Sequence, residues 1–112
     1  MALYVATGTY TAEGYRGLAK DGASGRKEVL TKAMTDLGGE LRALYYTGDN
    51  LGYFVIAELP DDIGPATIGL AILSSGMFEP SMMKFTRLLE VEDVDRACKR
   101  SLTYPPPGKA RQ

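Results

Sequence analysis

From Leu3 to Tyr10 the chain alternates, with Leu3, Val5, Thr7 and Thr9 on one side and Tyr4, Ala6, Gly8 and Tyr10 on the other. That period, enriched in β-branched and aromatic residues, predicts a first strand. Thr11 follows as a helix N-cap. Gly14, Gly17, Gly22 and Gly25 come next, and each costs roughly 1 kcal/mol relative to alanine inside a helix. A short helical turn and then a break are therefore expected. From about Ser24 the pattern improves, because Val29, Leu30, Ala33, Met34 and Leu37 form one stripe at helical spacing. Gly38-Gly39 supplies the stop.

Leu41 to Leu59 reads as a β-hairpin, two alternating apolar stretches joined by Gly48-Asp49-Asn50-Leu51-Gly52. With those residues as the loop, Thr47 faces Tyr53, Tyr46 faces Phe54, Leu44 faces Ile56 and Arg42 faces Glu58. One face then carries Tyr46, Phe54, Leu44 and Ile56, and the other Tyr45, Val55, Ala43 and Ala57. Both faces are apolar. Pro60-Asp61-Asp62 gives a turn and an N-cap, with Pro65 in the tolerant first turn of a helix from Ile63 to Leu73. Ser74-Ser75-Gly76 ends it. Met82 to Leu89 alternates again as a fourth strand, and Asp93 to Arg100 is a short charged helix. From Tyr104 the chain is proline-rich and ends basic, as a mobile tail.

The order is βαββαβ, an α+β ferredoxin-like domain with a four-stranded antiparallel sheet over residues 1–103, followed by the tail at 104–112. Two helices cover only one face of such a sheet, and this one is too apolar on both faces to stay wet. A second copy of the chain is the simplest cover, giving a homodimer in which two sheets pack face to face as a dimeric α/β-barrel. Assembly beyond the dimer is left open.

The chain has 112 residues, 45% hydrophobic and 24% charged, which fits one globular domain. Thirteen basic against fourteen acidic residues leave a net charge of -1, with no electrostatic footprint for a phosphate backbone. Nucleic acid is disfavoured as a partner, and the Lys/Arg-Gly-aromatic opening of RNA-recognition domains is absent before Tyr53-Phe54-Val55. A lone Cys98, no secretory signal pattern and no apolar run of membrane-spanning length make a reducing cytoplasm the expected location.

The chain contains no histidine, which removes Ser-His-Asp and Cys-His catalysis, the usual zinc sites and histidine-ligated haem. No metal, haem or other cofactor is expected. Gly22-Ala23-Ser24-Gly25-Arg26-Lys27 lacks the spacing of a phosphate loop and the Ser or Thr after its lysine, so a flexible helix entry explains it. Cys98, near Arg96, Lys99 and Arg100, reads as an incidental thiol.

Leu37-Gly38-Gly39-Glu40-Leu41, Tyr45-Tyr46-Thr47, Val55 through Asp62, and Gly8-Thr9-Tyr10-Thr11 together resemble the GYD-domain family of small bacterial and archaeal proteins. The resemblance covers roughly Leu3 to Lys99. It implies the dimeric α/β-barrel, ferredoxin-like class, and brings no established activity with it. An ungapped alignment puts the family's namesake Gly-x-Tyr-Asp stretch on Asp49-Asn50-Leu51-Gly52, so Leu51 and Gly52 stand where the family has Tyr and Asp. Related architectures include cofactor-independent monooxygenases and isomerases with a pocket between sheet and helices. Tyr10, Arg42, Tyr46, Tyr53 and Arg87 are the candidate ligand-binding residues, tyrosine as hydrogen-bond donor and arginine as anion clamp. Two readings follow: a small-ligand-binding or structural module, or a cofactor-free oxidoreductase or isomerase acting on a small aromatic or carbonyl compound.

Overall fold

A computed structural model describes residues 1–60 and 63–108. Four strands, β1 (Ala2–Gly8), β2 (Glu40–Tyr46), β3 (Tyr53–Leu59) and β4 (Lys84–Leu88), form one sheet in the order β2-β3-β1-β4. β1 is antiparallel to both β3 and β4, and β2 to β3. With helices α1 (Ala12–Asp36) and α2 (Ile63–Ser75), the order is βαββαβ, the ferredoxin-like arrangement. A short helix, α3 (Val91–Cys98), follows. The expected N-cap at Asp61-Asp62 lies outside the described residues.

The first crossover helix is longer than its glycines suggest. It runs from Ala12 to Asp36 and bends at Gly22, whose φ of 77° and ψ of 159° leave the helical region. The expected break is thus present at Gly22, although the helical piece before it, from Ala12 to Asp21, is longer than the short turn expected, and the Gly22 to Lys27 stretch opens the second piece. Thr11 caps the start, its Oγ1 accepting from the Gly14 amide at 3.1 Å. At the end, Gly39 N–H donates to the Met34 carbonyl at 2.8 Å and Gly38 N–H to that of Thr35 at 2.9 Å. This double closure needs a left-handed residue, and Gly38 supplies it with φ of 80°.

The hairpin register differs from the expected one by a residue. Tyr46 pairs with Tyr53, Tyr45 with Phe54, Leu44 with Val55 and Ala43 with Ile56. The loop is four residues long rather than five: Thr47 N–H donates to the Gly52 carbonyl at 2.9 Å, and Leu51 N–H to that of Thr47 at 3.0 Å. Leu51 closes the turn at φ of 55°, a conformation disfavoured for leucine. Because both faces are apolar, hydrophobic pattern did little to oppose a slip. A bulge between Leu41 and Ala43 shifts the register once more, and Arg42 there still meets Glu58, Nη2 to Oε2 at 2.7 Å.

The strand that was expected over Met82 to Leu89 is shorter, because Pro80–Met82 takes a 3-10 turn before it. Phe78 bridges Tyr10, and Glu79 N–H reaches the Thr9 carbonyl at 2.9 Å while Thr11 N–H reaches that of Met77, also at 2.9 Å. The segment after α2 is thereby laced to the end of β1.

The core lies at one end of the layer between sheet and helices. Tyr4, Met34, Ala57 and Leu59 are buried there, flanked by Leu30, Ala33, Leu37, Leu41, Val55 and Ile68. Strand alternation puts Leu3, Val5, Phe54, Ile56 and Leu88 on the opposite, helix-free face. Uncharged α2 leaves Ile63 and Leu70 more than 70% exposed. No helix among the described residues is long and apolar enough to cross a membrane.

Candidate ligand-binding site

Where the core ends, the layer is hollow. A cavity of about 350 Å³ lies between the sheet and the helices, walled by Ala6, Leu44, Tyr46, Tyr53 and Val55 of the sheet, by Arg26, Leu30 and Ala33 of α1, by Ile72 and Ser75 of α2, and by Tyr10 and Phe78 at the junction. Its walls are largely apolar with a few convergent polar groups, which is the usual character of a small-molecule site.

Three tyrosines form its polar end. The hydroxyls of Tyr10 and Tyr46 are 3.4 Å apart. The Tyr53 ring lies 5.6 Å from that of Tyr10 and 5.6 Å from Phe78, both edge-on, and the Tyr10 and Phe78 rings are 5.0 Å apart. Gly8 makes room for Tyr53, since a Cβ there would stand 2.4 Å from the phenol oxygen. Tyr53 is only 5% exposed, and its hydroxyl is buried without a hydrogen-bond partner. Burial pushes the Tyr10 phenol well above its ordinary value, reinforced by the Tyr46 hydroxyl, while the Arg26 cation pulls weakly the other way. Burial also raises Tyr53. Both therefore remain protonated at neutral pH and are suited to donating hydrogen bonds rather than to abstracting protons.

Of the residues singled out from sequence, Tyr10, Tyr46 and Tyr53 come together in this cavity. Arg42 lies elsewhere, bound to Glu58 across the hairpin, and that pairing holds its pKa above the ordinary arginine value. Arg87 is exposed on β4 opposite Tyr4 and does not line the cavity. The cation that does line it, Arg26, was missed. Its position is legible in retrospect: Arg26, Leu30, Ala33 and Leu37 follow helical spacing, so this arginine interrupts the apolar stripe that packs on the sheet. Cys98 is exposed at the end of α3.

A second, wider hollow of about 430 Å³ lies at the hairpin end, lined by Thr7, Thr9, Asn50, Tyr53, Ser81 and Lys84 among others. Asp49 and Asn50 in its wall belong to the hairpin loop, where Thr47 and the Asn50 amide hold the Asp49 carboxyl below its ordinary pKa. Asn50 accepts from Thr47 Oγ1 at 2.9 Å and from the Gly52 amide at 3.0 Å, and its carbonyl takes the Tyr15 hydroxyl at 2.8 Å. Among the described residues no three or more His, Cys, Asp and Glu side chains gather as metal ligands.

The sequence matches one family model, over residues 4–102. The chain belongs to the GYD domain family. No curated protein and no solved structure matches it. In this GYD domain the two positions expected to depart from the namesake stretch, Leu51 and Gly52, are both conformationally constrained. Leu51 sits in the left-handed region, and a Cβ on Gly52 would stand 2.6 Å from the Gly8 carbonyl oxygen. An aspartate cannot occupy position 52 without moving that backbone.

Proposed function

We propose that this GYD domain is a small-molecule-binding module that works as a homodimer. The observation that carries the reading is the hydroxyl of Tyr53, buried and unpartnered in a residue that lines a largely apolar cavity. A buried polar group without a partner costs about 1–3 kcal/mol, and a ligand that accepts its hydrogen bond removes that cost. At about 30 Å³ per water-sized group, the cavity of 350 Å³ suits a ligand of about a dozen non-hydrogen atoms. The binding reading is preferred to catalysis because the described residues of the wall include no side chain that ordinarily serves as a base near neutral pH.

Dimerisation is supported by the helix-free sheet face. Val5, Phe54 and Ile56 stand side by side there through the pairs Val5 with Ile56 and Thr7 with Phe54. A second copy offers the same apolar residues and buries both faces at once. Native mass spectrometry of gently purified protein tests the two parts together. The expected spectrum is a dimer carrying an extra small mass, and that mass is lost in Ala71→Trp, because Ala71 of α2 also lines the cavity and the larger side chain takes up its space. A monomer at micromolar concentration refutes the assembly, and a bound mass that survives Ala71→Trp refutes the site.

A further inference from the structure

Resting on the cavity as a ligand site, we infer that its ligand is a small apolar monocarboxylate, held with its carboxylate toward Arg26 and the tyrosine hydroxyls. The charge of the cavity wall carries this. Arg26 is the one ionised residue among the described residues that line it. Its own carboxylate partner, Asp21, is 3.9 Å away across the Gly22 kink, at the outer limit of an ion pair, and no hydrogen bond joins Arg26 to another described residue. A guanidinium has five N–H donors and no acceptor, so this one has unused capacity. Its side chain is 31% exposed, leaving most of it against protein.

The remaining polar groups add donors. Within the Tyr10 and Tyr46 pair, one hydroxyl donates to the other and one proton remains free. Tyr53 has a second free proton. Phenols can accept as well as donate, but beside a cation and without any carboxylate among the described residues of the wall they favour an acceptor that bears negative charge. A cationic ligand would meet Arg26 with only the distant Asp21 to offset the repulsion, and a neutral hydrocarbon would leave the Tyr53 hydroxyl unpaired. Around these donors Leu30, Val55, Ile72 and Phe78 provide the apolar walls, which fit an aromatic or cyclic body.

The experiment is equilibrium dialysis of the full chain with 2-naphthoate and with 2-naphthamide, which share shape and differ in charge. For the native protein the acid binds at least ten-fold more tightly than the amide. In Arg26→Gln that preference falls to within two-fold because acid binding weakens, while amide binding stays within two-fold of the native value. Arg26→Lys, which keeps the charge without the planar fork, restores part of the preference. Equal binding of acid and amide to the native protein overturns the carboxylate assignment and leaves the ligand site standing. An acid preference unchanged in Arg26→Gln, or equal loss of both probes, overturns the role of Arg26. Binding of neither probe overturns the site itself, and the inference with it.

Discussion

Replacing Tyr53 with phenylalanine removes a single atom, and the structure sets both the sign and the size of the result. The ring keeps its edge contacts with Tyr10 and Phe78 at 5.6 Å, and no hydrogen bond is lost because the hydroxyl makes none. What disappears is the desolvation cost of a buried unpaired hydroxyl, about 1–3 kcal/mol. Tyr53→Phe is therefore expected to stabilise the ligand-free protein by about 1 kcal/mol, a rise in melting temperature of roughly 4 °C for a domain near this size. Urea denaturation, at matched protein concentration so that subunit association contributes equally, reads the change in midpoint. The same substitution weakens 2-naphthoate binding by roughly ten- to a hundred-fold, the loss of one hydrogen bond to a charged acceptor at about 1.5–3 kcal/mol. Greater stability with weaker binding is the signature of a group maintained for its ligand. A variant destabilised by more than about 1 kcal/mol refutes the reasoning, since the hydroxyl must then have been satisfied in the native protein.

Two glycines of α1 should respond in opposite directions. Gly14→Ala drives a Cβ to within 1.9 Å of the Met77 carbonyl and should lower stability by at least about 2 kcal/mol, whereas Gly17→Ala, with nothing within 4 Å, should raise it by about 0.5–1 kcal/mol; thermal melts of the pair decide. The raised phenols predict a pH dependence. Tyr10 and Tyr53 lose their protons later in the folded chain than in the unfolded one, so their contribution is fully present below about pH 10 and falls as pH rises through the native values. Denaturation midpoints should therefore drop above that pH, and Tyr10→Phe should flatten the drop; an unchanged slope in the variant contradicts the assignment. On the outer face, Ile56→Glu should convert the dimer to a monomer in sedimentation velocity, and a dimer that persists would place the interface elsewhere.

Much of the fold was legible because its signals are local. Thr11 as N-cap, the Gly38-Gly39 stop and the alternation of β1 each depend on residues within a few positions, and the structure holds all three. The hairpin register was not legible, for two physical reasons. Glycines at both ends of the loop permit more than one closure, and the one adopted uses a left-handed Leu51 that propensity disfavours. With apolar residues on both faces, neither alternative exposes a conspicuous error. The site divides in the same way. Alternation fixed the strand faces of Tyr46 and Tyr53 only once the register was known, and their meeting with Tyr10 depends on the bridge between Tyr10 and Phe78, a contact of long sequence separation. Arg42 and Arg87 drew notice as cations on strands, but their positions are governed by the bulge and the sheet edge. Arg26 was hidden by the glycines around it, because it lies just after the break at Gly22 and before the apolar stripe begins.

The central claim is that one small molecule occupies the hollow end of the layer between sheet and helices. The most direct measurement is an NMR titration of protein carrying ¹³C-labelled tyrosine with 2-naphthoate. Ring signals of Tyr10, Tyr46 and Tyr53 are expected to shift together and saturate at one molecule per chain, while those of Tyr45, on the outer face, and Tyr104, in the C-terminal segment, stay in place. Absence of a saturable shift at the three cavity tyrosines, or an equal shift at Tyr45, would contradict the account.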